Sequence, residues 1–565
     1  MLENLFYHEL ISVLKQRQLS KKEVHAIKRE LCKKHRIAKI PTDIQVLLHA
    51  SEEDLPKLKH LQTKPVRSIS GVTPIAVMTK PIPCPHGRCI FCPGGVGSAF
   101  GDMPQSYTGK EPSTMRAIRA AYDPYLITFN RLEQFIVSGH MPEKVELIIQ
   151  GGTFCAFPKD YQEEVVGYCL KASNDFSEAF FPDGRFDFDG FKAFFELPGE
   201  VGDPARTKRV QEKLLKMKGS LLLEREQGRN ESAKIRCVGL TVETRPDWGL
   251  LEHGNELLRL GCTRVELGVE SVYDEVLRHV HRGHTVKHTL DSIAALRDLG
   301  FKLNFHYMPG LPMPGAVKPD MGKDLAGMRK LFDDPAYRPD MLKIYPCMVM
   351  PGTPLETLYE HGRYMPYTTG EAAEMISEFK RYVPRYCRIM RVQRDIPTYR
   401  TTAGVDRTNL RQIVDEYCKR KGIACQCIRC REIGHAVIGE PKLHALEYEA
   451  SGGKEFFISL DDPKTDALIG FCRLRFPSRC LRKEITPASA IVRELHVFGA
   501  ATGLGEEGMV QHRGFGKTLL AEAEAIAKRH SKDKMIVISG IGAREYYKRL
   551  GYSREGPYMV TRLRP

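Results

Sequence analysis

Six short apolar runs, each followed by a polar or amphipathic stretch, limit the fold of this chain more than any other feature. They are TPIAVMT (73–79), VELIIQ (145–150), IRCVGLTVE (235–243), TRVELGVE (263–270), FKLNFHYM (301–308) and MLKIYP (341–346). Several are apolar at successive positions, the pattern of strands covered on both faces. The stretches between them, such as HTLDSIAALRDLG (288–300), carry helical spacing and end in Gly. This alternation predicts an α/β architecture, a parallel sheet or partial (β/α)6 barrel. Residues 160–234 are long for one crossover, so part of that stretch reads as an insertion.

The flanks follow other patterns. Phe6, Leu10, Val13 and Leu14, then Val24, Ile27 and Leu31, have helical spacing, with Ser20 placed to cap the second helix. Residues 1–63 therefore read as a helical arm and 64–380 as the barrel. Residues 381–434 read as a linker. From 435 to 565 an alternating strand ALIGFCRLRF, a strand IVRELHVFG, a helix over 516–530 and a closing strand MIVISG indicate a separate α+β domain. At roughly 100–200 residues per domain, 565 residues accommodate this division.

Charge is distributed in patches. The total is 85 Lys and Arg against 70 Asp and Glu, a formal +15. Residues 15–39 hold ten basic and two acidic side chains, and 380–431 hold fourteen against four. Two separate basic surfaces are what a polyanion selects, since each neutralised phosphate releases a counterion; the bland alternative is solvated helix faces. No apolar run approaches the roughly 18 residues of a membrane helix. Glu3 and Glu9 stand where a secretory signal is basic and then apolar. The reading is a cytoplasmic protein with no membrane partner. Sixteen cysteines are too few for a disulfide scaffold, and six fall in two tight groups, which points to metal.

The first group, Cys84, Cys89 and Cys92 in CPHGRCIFCPGG, follows the first strand with C-x4-C-x2-C spacing. Three thiolates without a fourth fit an iron-sulfur cubane with one open iron, whereas structural zinc closes a shell of four. In S-adenosylmethionine radical enzymes that open iron takes the methionine moiety. Their common spacing is x3 then x2, so x4 is a departure, and zinc with His86 or Cys155 is the competing reading. The position favours the cluster, because active sites of such barrels occupy the carboxyl ends of strands. Gly151 and Gly152 end the second strand, Glu243 the third and Glu270 the fourth, all candidates to contact S-adenosylmethionine; Thr153 stands where an acidic residue often follows the glycine pair.

Cys425, Cys427 and Cys430 form CQCIRC in the basic linker, close enough in sequence to converge on one Zn2+. The fourth ligand is open among Cys347, Cys387, Cys418, Cys472 and His435, and buried free thiols are the alternative. Downstream, QHRGFGK (511–517) fits Q/R-x-x-G-x-G at a helix start, where backbone N–H groups can face a pyrophosphate. A strand bearing ELHV lies upstream, and IGAREYYKRLGY follows the last strand. That order is the layout of acetyl-CoA-dependent (GNAT-like) N-acetyltransferase folds. Tyr546 and Tyr547 are the candidate catalytic phenols near the thioester, with core packing the favoured reading for Tyr546.

Over most of residues 64–565 the chain resembles the Elongator catalytic-subunit family, tRNA wobble-uridine acetyltransferases. The resemblance rests on KPVRSISGVTPIAVMTKP, CPHGRCIFCPGG, QSYTGKEPSTMRAIRAAYDPY, GGTF, TVETRPD, RGHTV, RVQRDIP, CREIGH, ELHVFG, RGFGK, REYYKRLGY and GPYMV in the family's order. It implies a radical S-adenosylmethionine domain with a [4Fe-4S] cluster, an acetyl-CoA domain, and tRNA gripped at its anticodon stem-loop by the basic arm and linker. The family's acetyl-CoA contacts carry over to Lys144, also a candidate catalytic residue, to Glu494, Leu495, His496 and Val497, to Phe515, Gly516 and Lys517, and to Tyr547. Two departures, the long 160–234 segment and the complete CQCIRC, imply a stand-alone bacterial or archaeal enzyme rather than a subunit of a large Elongator assembly. A homodimer and an unidentified electron donor remain open.

The chemistry explains why both halves share one chain. Carbon 5 of uridine is too weak a nucleophile to attack a thioester, and acylation there would not give a carboxymethyl group. The expected route is hydrogen abstraction from the acetyl-CoA methyl by a 5'-deoxyadenosyl radical, addition to C5 of the wobble uridine (position 34), and thioester hydrolysis to 5-carboxymethyluridine. The base must be unstacked to react. Two rivals stand beside it: a protein lysine acetyltransferase with a structural iron-sulfur domain, and a non-enzymatic RNA-binding scaffold.

Overall fold

A computed structural model describes residues 2–63, 71–199, 203–434, 439–498 and 514–563. Gln511 and Arg513 of the glycine loop, and the candidate ligand His435, lie outside these residues.

The arm begins with helices Leu2–Leu14, Lys21–Lys34 and Asp43–His49. Ser20 caps the second in a reciprocal box: Glu23 N–H donates to Ser20 Oγ at 3.3 Å, and Ser20 N–H to Glu23 Oε2 at 2.8 Å. Phe6, Leu10, Leu14, Val46, Leu58 and Leu61 are fully buried in a small core of the arm's own. Part of its basic surplus is spent internally, through Lys28 on Asp43, Lys34 on Glu9 and Lys15 on Asp54. Lys22, Arg29, Lys33, Arg36 and Lys39 are exposed, and none has an ion pair among the described residues.

The first large sheet contains β1 (Val72–Met78), then, after a small hairpin of β2 (Gly95–Ser98) and β3 (Gly101–Met103), β4 (Lys144–Gln150), β5 (Arg236–Thr244), β6 (Arg264–Glu270), β7 (Lys302–Tyr307), β8 (Met341–Ile344) and β9 (Arg388–Arg391). Its order is β1-β4-β5-β6-β7-β8-β9, and all pairs are parallel. The six expected strands are present. β9 is a seventh, within the segment read as linker; four residues, two of them Arg, carry too little apolar pattern to announce a strand. The expectation of two apolar faces needs correction at β4. Val145, Leu147 and Ile149 are buried while Lys144, Glu146, Ile148 and Gln150 alternate with them half-buried, so the second face of β4 is polar at three of its four positions. The 160–234 segment is four helices, Lys159–Phe180, Phe188–Phe194, Pro204–Lys218 and Leu223–Ser232, the first two joined by interlocking phenylalanines such as Phe176, Phe180, Phe191 and Phe195.

The second sheet runs β10 (Lys442–Ala450), β11 (Gly453–Asp461), β12 (Leu468–Phe476), β13 (Ser489–Val497), β14 (Lys534–Val537), β15 (Ser553–Glu555) and β16 (Tyr558–Arg562), in the order β10-β11-β12-β13-β14-β16-β15. β13 is parallel to β14 and pairs with it only from Ser489 to Val492. Beyond that the strands part, and the helix Phe515–Arg529 packs on β11, β12 and β13.

The two sheets share one hydrophobic core. Their polar contacts gather at the amino ends of the barrel strands. Arg475 reaches Asp298 at 2.5 Å, Arg493 donates to the Phe301 carbonyl at 2.9 Å, and the Tyr558 hydroxyl donates to Leu299 O at 2.9 Å. A Cβ at Gly540 would lie 2.2 Å from Val238 O, so only glycine lets this backbone sit against the start of β5. No helix of the described residues is long and apolar enough to cross a membrane.

Candidate active site

The carboxyl ends of the barrel strands surround a polar cavity of about 1110 Å3, counted to its open mouth. The loop after β1 brings Cys84, Cys89 and Cys92 to one wall, and Gly152 from the end of β4 and Glu243 and Glu270 from β5 and β6 line the same space. The glycine pair is required by geometry. Gly151 and Gly152 have φ of +128° and +109°, and a Cβ at Gly151 would lie 2.0 Å from Thr79 Oγ1. Glu270 also takes a left-handed φ, +61°, rare for a side chain of its size and seen chiefly where surroundings over-determine it.

Arg282 ties this wall together. Its guanidinium donates to Cys89 Sγ at 3.7 Å, to Glu270 Oε1 at 3.2 Å and to Gly268 O at 3.0 Å. His86 Nε2 lies 3.3 Å from Cys89 Sγ, and Cys92 Sγ donates to Gln105 Oε1 at 3.3 Å. Burial pushes the Cys89 thiol up to about 12, against the pull of Arg282, so a compensating positive partner is needed to hold it as thiolate. Glu270 Oε2, Arg282 Nε and His86 Nδ1 are buried without a partner among the described residues.

The donor set fits a cluster better than a single ion. Around one zinc, bonds of about 2.3 Å hold sulfurs roughly 4 Å apart. Among the described residues, two trios bring their ligand atoms within 4.8 Å of one another, Cys425 with Cys427 and Cys430, and Glu243 with Glu266 and His306. The trio at 84, 89 and 92 is not one of them, although its thiols feel one another electrostatically. Cys155 is buried in the main core, bonded through its carbonyl to Gln162.

The floor of the cavity is a charge set that the sequence reading missed. Glu266 of β6 accepts from Asn304 at 3.0 Å and His306 at 2.9 Å on β7 and is bonded to Lys343 on β8. Lys343 also stands 3.6 Å from Glu243. Burial alone would raise the Glu266 carboxyl, but Lys343 and His306 hold it well below the usual range. Both carboxylates of this trio therefore already have the Lys343 ammonium as a partner. A strand of alternating RVELGVE beside K at the third place of MLKIYP was the available signal. Tyr107, Tyr345, Arg391 and Arg394 complete the lining.

The second cysteine group sits where β9 meets the helix Ile428–Arg431. Hydrogen bonds from Cys425 and Cys430 lower the Cys427 thiol, while the same contacts raise Cys425. Of the fourth-ligand candidates, Cys347, Cys387, Cys418 and Cys472 do not join the trio, and His435 falls outside the described residues.

The acetyl-CoA candidates lie on the opposite side of the barrel. Glu494 lies just beyond the part of β13 that pairs with β14 and accepts from Arg473 Nε at 2.8 Å; Leu495, His496 and Val497 follow it, half-buried and paired with β12 alone. Burial brings the His496 imidazole down to about 4 and keeps it neutral. Gly514 is left-handed at φ +81°, and the helix behind it opens with Phe515, Gly516 and Lys517. In the five-residue helix Arg544–Lys548 the buried face is Arg544 and Tyr547. Tyr546 turns the other way, its hydroxyl 3.2 Å from where a Gly516 Cβ would stand. This reverses the expectation that Tyr546 is the core residue of the pair: Tyr547 is 6% exposed and packs on Tyr552. Burial raises both phenols, which keeps them hydrogen-bond donors. Lys144, opening β4, is half-buried beside Arg236, with its ammonium pKa lowered by burial and by that arginine.

Comparison with known proteins agrees with this geometry. Family models match as the ELP3 N-terminal domain over residues 4–69, the Radical SAM superfamily over 81–314 and the Radical_SAM C-terminal domain over 339–420. The chain is 44% identical to the tRNA uridine(34) acetyltransferase of Methanocaldococcus jannaschii over 96% of this chain and 95% of that protein. It is 39% identical to Elongator complex protein 3 of Homo sapiens, covering 94% and 89% of the two chains. The solved archaeal Methanocaldococcus infernus Elp3 with N-terminus deletion (1-46) superposes with a TM-score of 0.70 at 39% identity, over 88% of this chain and 100% of that one. With this identity sustained over nearly the whole length, the chain belongs to the tRNA uridine(34) acetyltransferase family, which includes Elongator complex protein 3.

Proposed function

We propose that this protein is a cytoplasmic, stand-alone tRNA-modifying enzyme that forms 5-carboxymethyluridine at the wobble position from acetyl-CoA. The observation that carries this reading is the pairing, over one shared hydrophobic core, of a three-cysteine loop at the carboxyl mouth of the barrel with an acetyl-CoA-type fold joined to its amino mouth. When bound at Cys84, Cys89 and Cys92, a [4Fe-4S] cluster with S-adenosylmethionine supplies a carbon radical able to take hydrogen from an acetyl methyl group. Gly151, Gly152, Glu243, Glu270 and Arg282 are the residues to hold the S-adenosylmethionine, with Arg282 neutralising charge at Cys89 and Glu270.

On the far side, Val497, Gly516 and Lys517 offer a strand edge and a helix start for the pantetheine and pyrophosphate of acetyl-CoA, and Tyr546 and Tyr547 stay protonated to donate to its thioester. Zn2+ at Cys425, Cys427 and Cys430 would staple β9 to the second sheet. The basic arm and linker are the grips for the anticodon stem-loop. Lysine acetylation is disfavoured by one feature: Glu494 is buried, but Arg473 and Lys302 outweigh that burial and lower its pKa, which leaves it a poor base.

The test is mass spectrometry of nucleosides from tRNA incubated anaerobically with protein, S-adenosylmethionine, acetyl-CoA and a one-electron reductant. A carboxymethyl mass on uridine 34 that requires all three additions is expected. A product formed without S-adenosylmethionine would overturn the reading.

A further inference from the structure

Once a base has left its stack to enter the cavity, its neighbours lose a stacking partner, and the rim of the cavity carries a group suited to replace it. Arg391, Arg394, Asp395 and Ile396 line the cavity, with Arg391 and Asp395 exposed to solvent. Directly after them the turn Thr398–Arg400 presents Tyr399, which at 74% exposure is the most exposed large hydrophobic side chain of the described residues. A lone exposed aromatic is ordinary. Three further observations separate this one from an ordinary surface tyrosine.

Its mount is rigid. Arg400 N–H donates to Pro397 O at 2.9 Å and Thr401 N–H to Thr398 O at 3.1 Å, and the Thr401 hydroxyl bonds Thr398 O at 2.7 Å. Thr402 N–H donates to Val349 O, and Val349 N–H to Ala403 O, each at 2.9 Å, so the turn is pinned to the barrel. A preformed platform loses little freedom when a ligand binds. Second, the Arg400 guanidinium carbon lies 5.4 Å from the Tyr399 ring centre, and its Nε is shielded from water with no partner among the described residues. Third, the rim is cationic: Arg407 is exposed next to it, held through its carbonyl by Gln393 at 2.5 Å, and Asp395 is matched by Arg391.

We propose that Tyr399 and Arg400 form a stacking platform for a nucleobase adjacent to the one taken into the cavity, with the Arg400 guanidinium on the intervening phosphate. The ligand class is single-stranded RNA, and the contact is tolerant of base identity because every base offers a π-face. This rests on the RNA-modification reading and goes beyond it by naming where the flanking nucleotide sits.

The experiment uses the full-length protein and an anticodon stem-loop RNA carrying 2-aminopurine on either side of the wobble uridine, read as fluorescence quenching on titration. Quenching at one of the two positions is expected for the intact protein and for Tyr399→Trp. Tyr399→Ala should abolish that quenching and raise Kd at least about five-fold, with the salt dependence unchanged. Arg400→Ala should lower the salt slope by about one unit. Undiminished quenching and affinity in Tyr399→Ala would overturn the proposal. Failure of the intact protein to bind the RNA at all would instead overturn the functional reading beneath it.

Discussion

Arg493 of β13 donates through both terminal nitrogens to both carboxylate oxygens of Asp340, each at 2.7 Å, with neither side chain exposed. Asp340 immediately precedes β8, whose Lys343 faces the cavity, and Arg473 bridges Asp340 to Glu494 of β13, the strand that carries acetyl-CoA candidates. One buried carboxylate therefore touches the framework of both sites. A forked, bidentate pair fixes orientation as well as distance, which a lysine could not do.

Removing one partner should cost far more than the pair itself contributes, because an uncompensated charge is left in the core. Arg493→Met is expected to destabilise the protein by about 3–5 kcal/mol, and Asp340→Asn by a similar amount. Thermal unfolding followed by circular dichroism would measure this. A drop in Tm no larger than that of an exposed pair such as Arg209 and Glu196 would show that the two sheets are not locked in this way.

The two cysteine groups should separate by metal. Cys89→Ser is expected to abolish iron and sulfide incorporation on anaerobic reconstitution while leaving zinc content and RNA affinity intact. Cys427→Ser should remove zinc and leave iron. Elemental analysis of both variants decides it; zinc lost from Cys89→Ser would place the ion at the wrong group.

Lys343 and Glu266 form the charged floor of the cavity, joined by His306 and Asn304. Lys343→Met removes the shortest ion pair of a nearly unexposed carboxylate and leaves it Asn304, His306 and the Arg264 guanidinium at 3.7 Å, so a loss of about 3 kcal/mol is expected. The double variant Lys343→Met with Glu266→Met should recover most of that stability but not activity, because the cavity loses both charges. Equal unfolding temperatures for single and double variants would contradict the pairing.

Where the sequence was readable and where it was not follows from what carries the signal. Strands of six to nine residues with a covered face are written in runs of apolar side chains, and a capping Ser such as Ser20 needs only its neighbours. The cysteine loop and the glycine pair at 151 and 152 were visible because only those residue types allow that backbone and that chemistry. β9 was hidden by its shortness and its arginines, and β10 by an exposed pattern at nearly every position. The Glu266, His306 and Lys343 set was missed because each residue comes from a different strand: the polar positions of RVELGVE and MLKIYP hint at a polar face, and only the register β6-β7-β8 brings them together. Which of Tyr546 and Tyr547 packs in the core was expected the wrong way round for a related reason. They are adjacent in sequence, and a short helix puts them about 100° apart, one facing the core and one facing Gly516.

Asp324 provides a pH test of packing near the cavity. It accepts the Gly310 N–H at 2.7 Å and the Tyr367 hydroxyl at 2.8 Å, and burial pushes its carboxyl up to about 6, with Asp320 raising it further and Lys323 opposing. A carboxyl raised on folding stabilises the native state fully below its unfolded value near 4, and that contribution is lost as pH rises through 6. The loss across this window is at most about 3 kcal/mol, from roughly two pK units at 1.36 kcal/mol each. Asp324→Asn keeps an acceptor for both donors but cannot ionise. The intact protein should therefore lose Tm relative to Asp324→Asn as pH goes from 4 to 7, and the gap should be constant above pH 7. A gap that is already full at pH 4, or that shrinks with rising pH, would mean that the carboxyl is ionised throughout and that its surroundings are wetter than this packing implies.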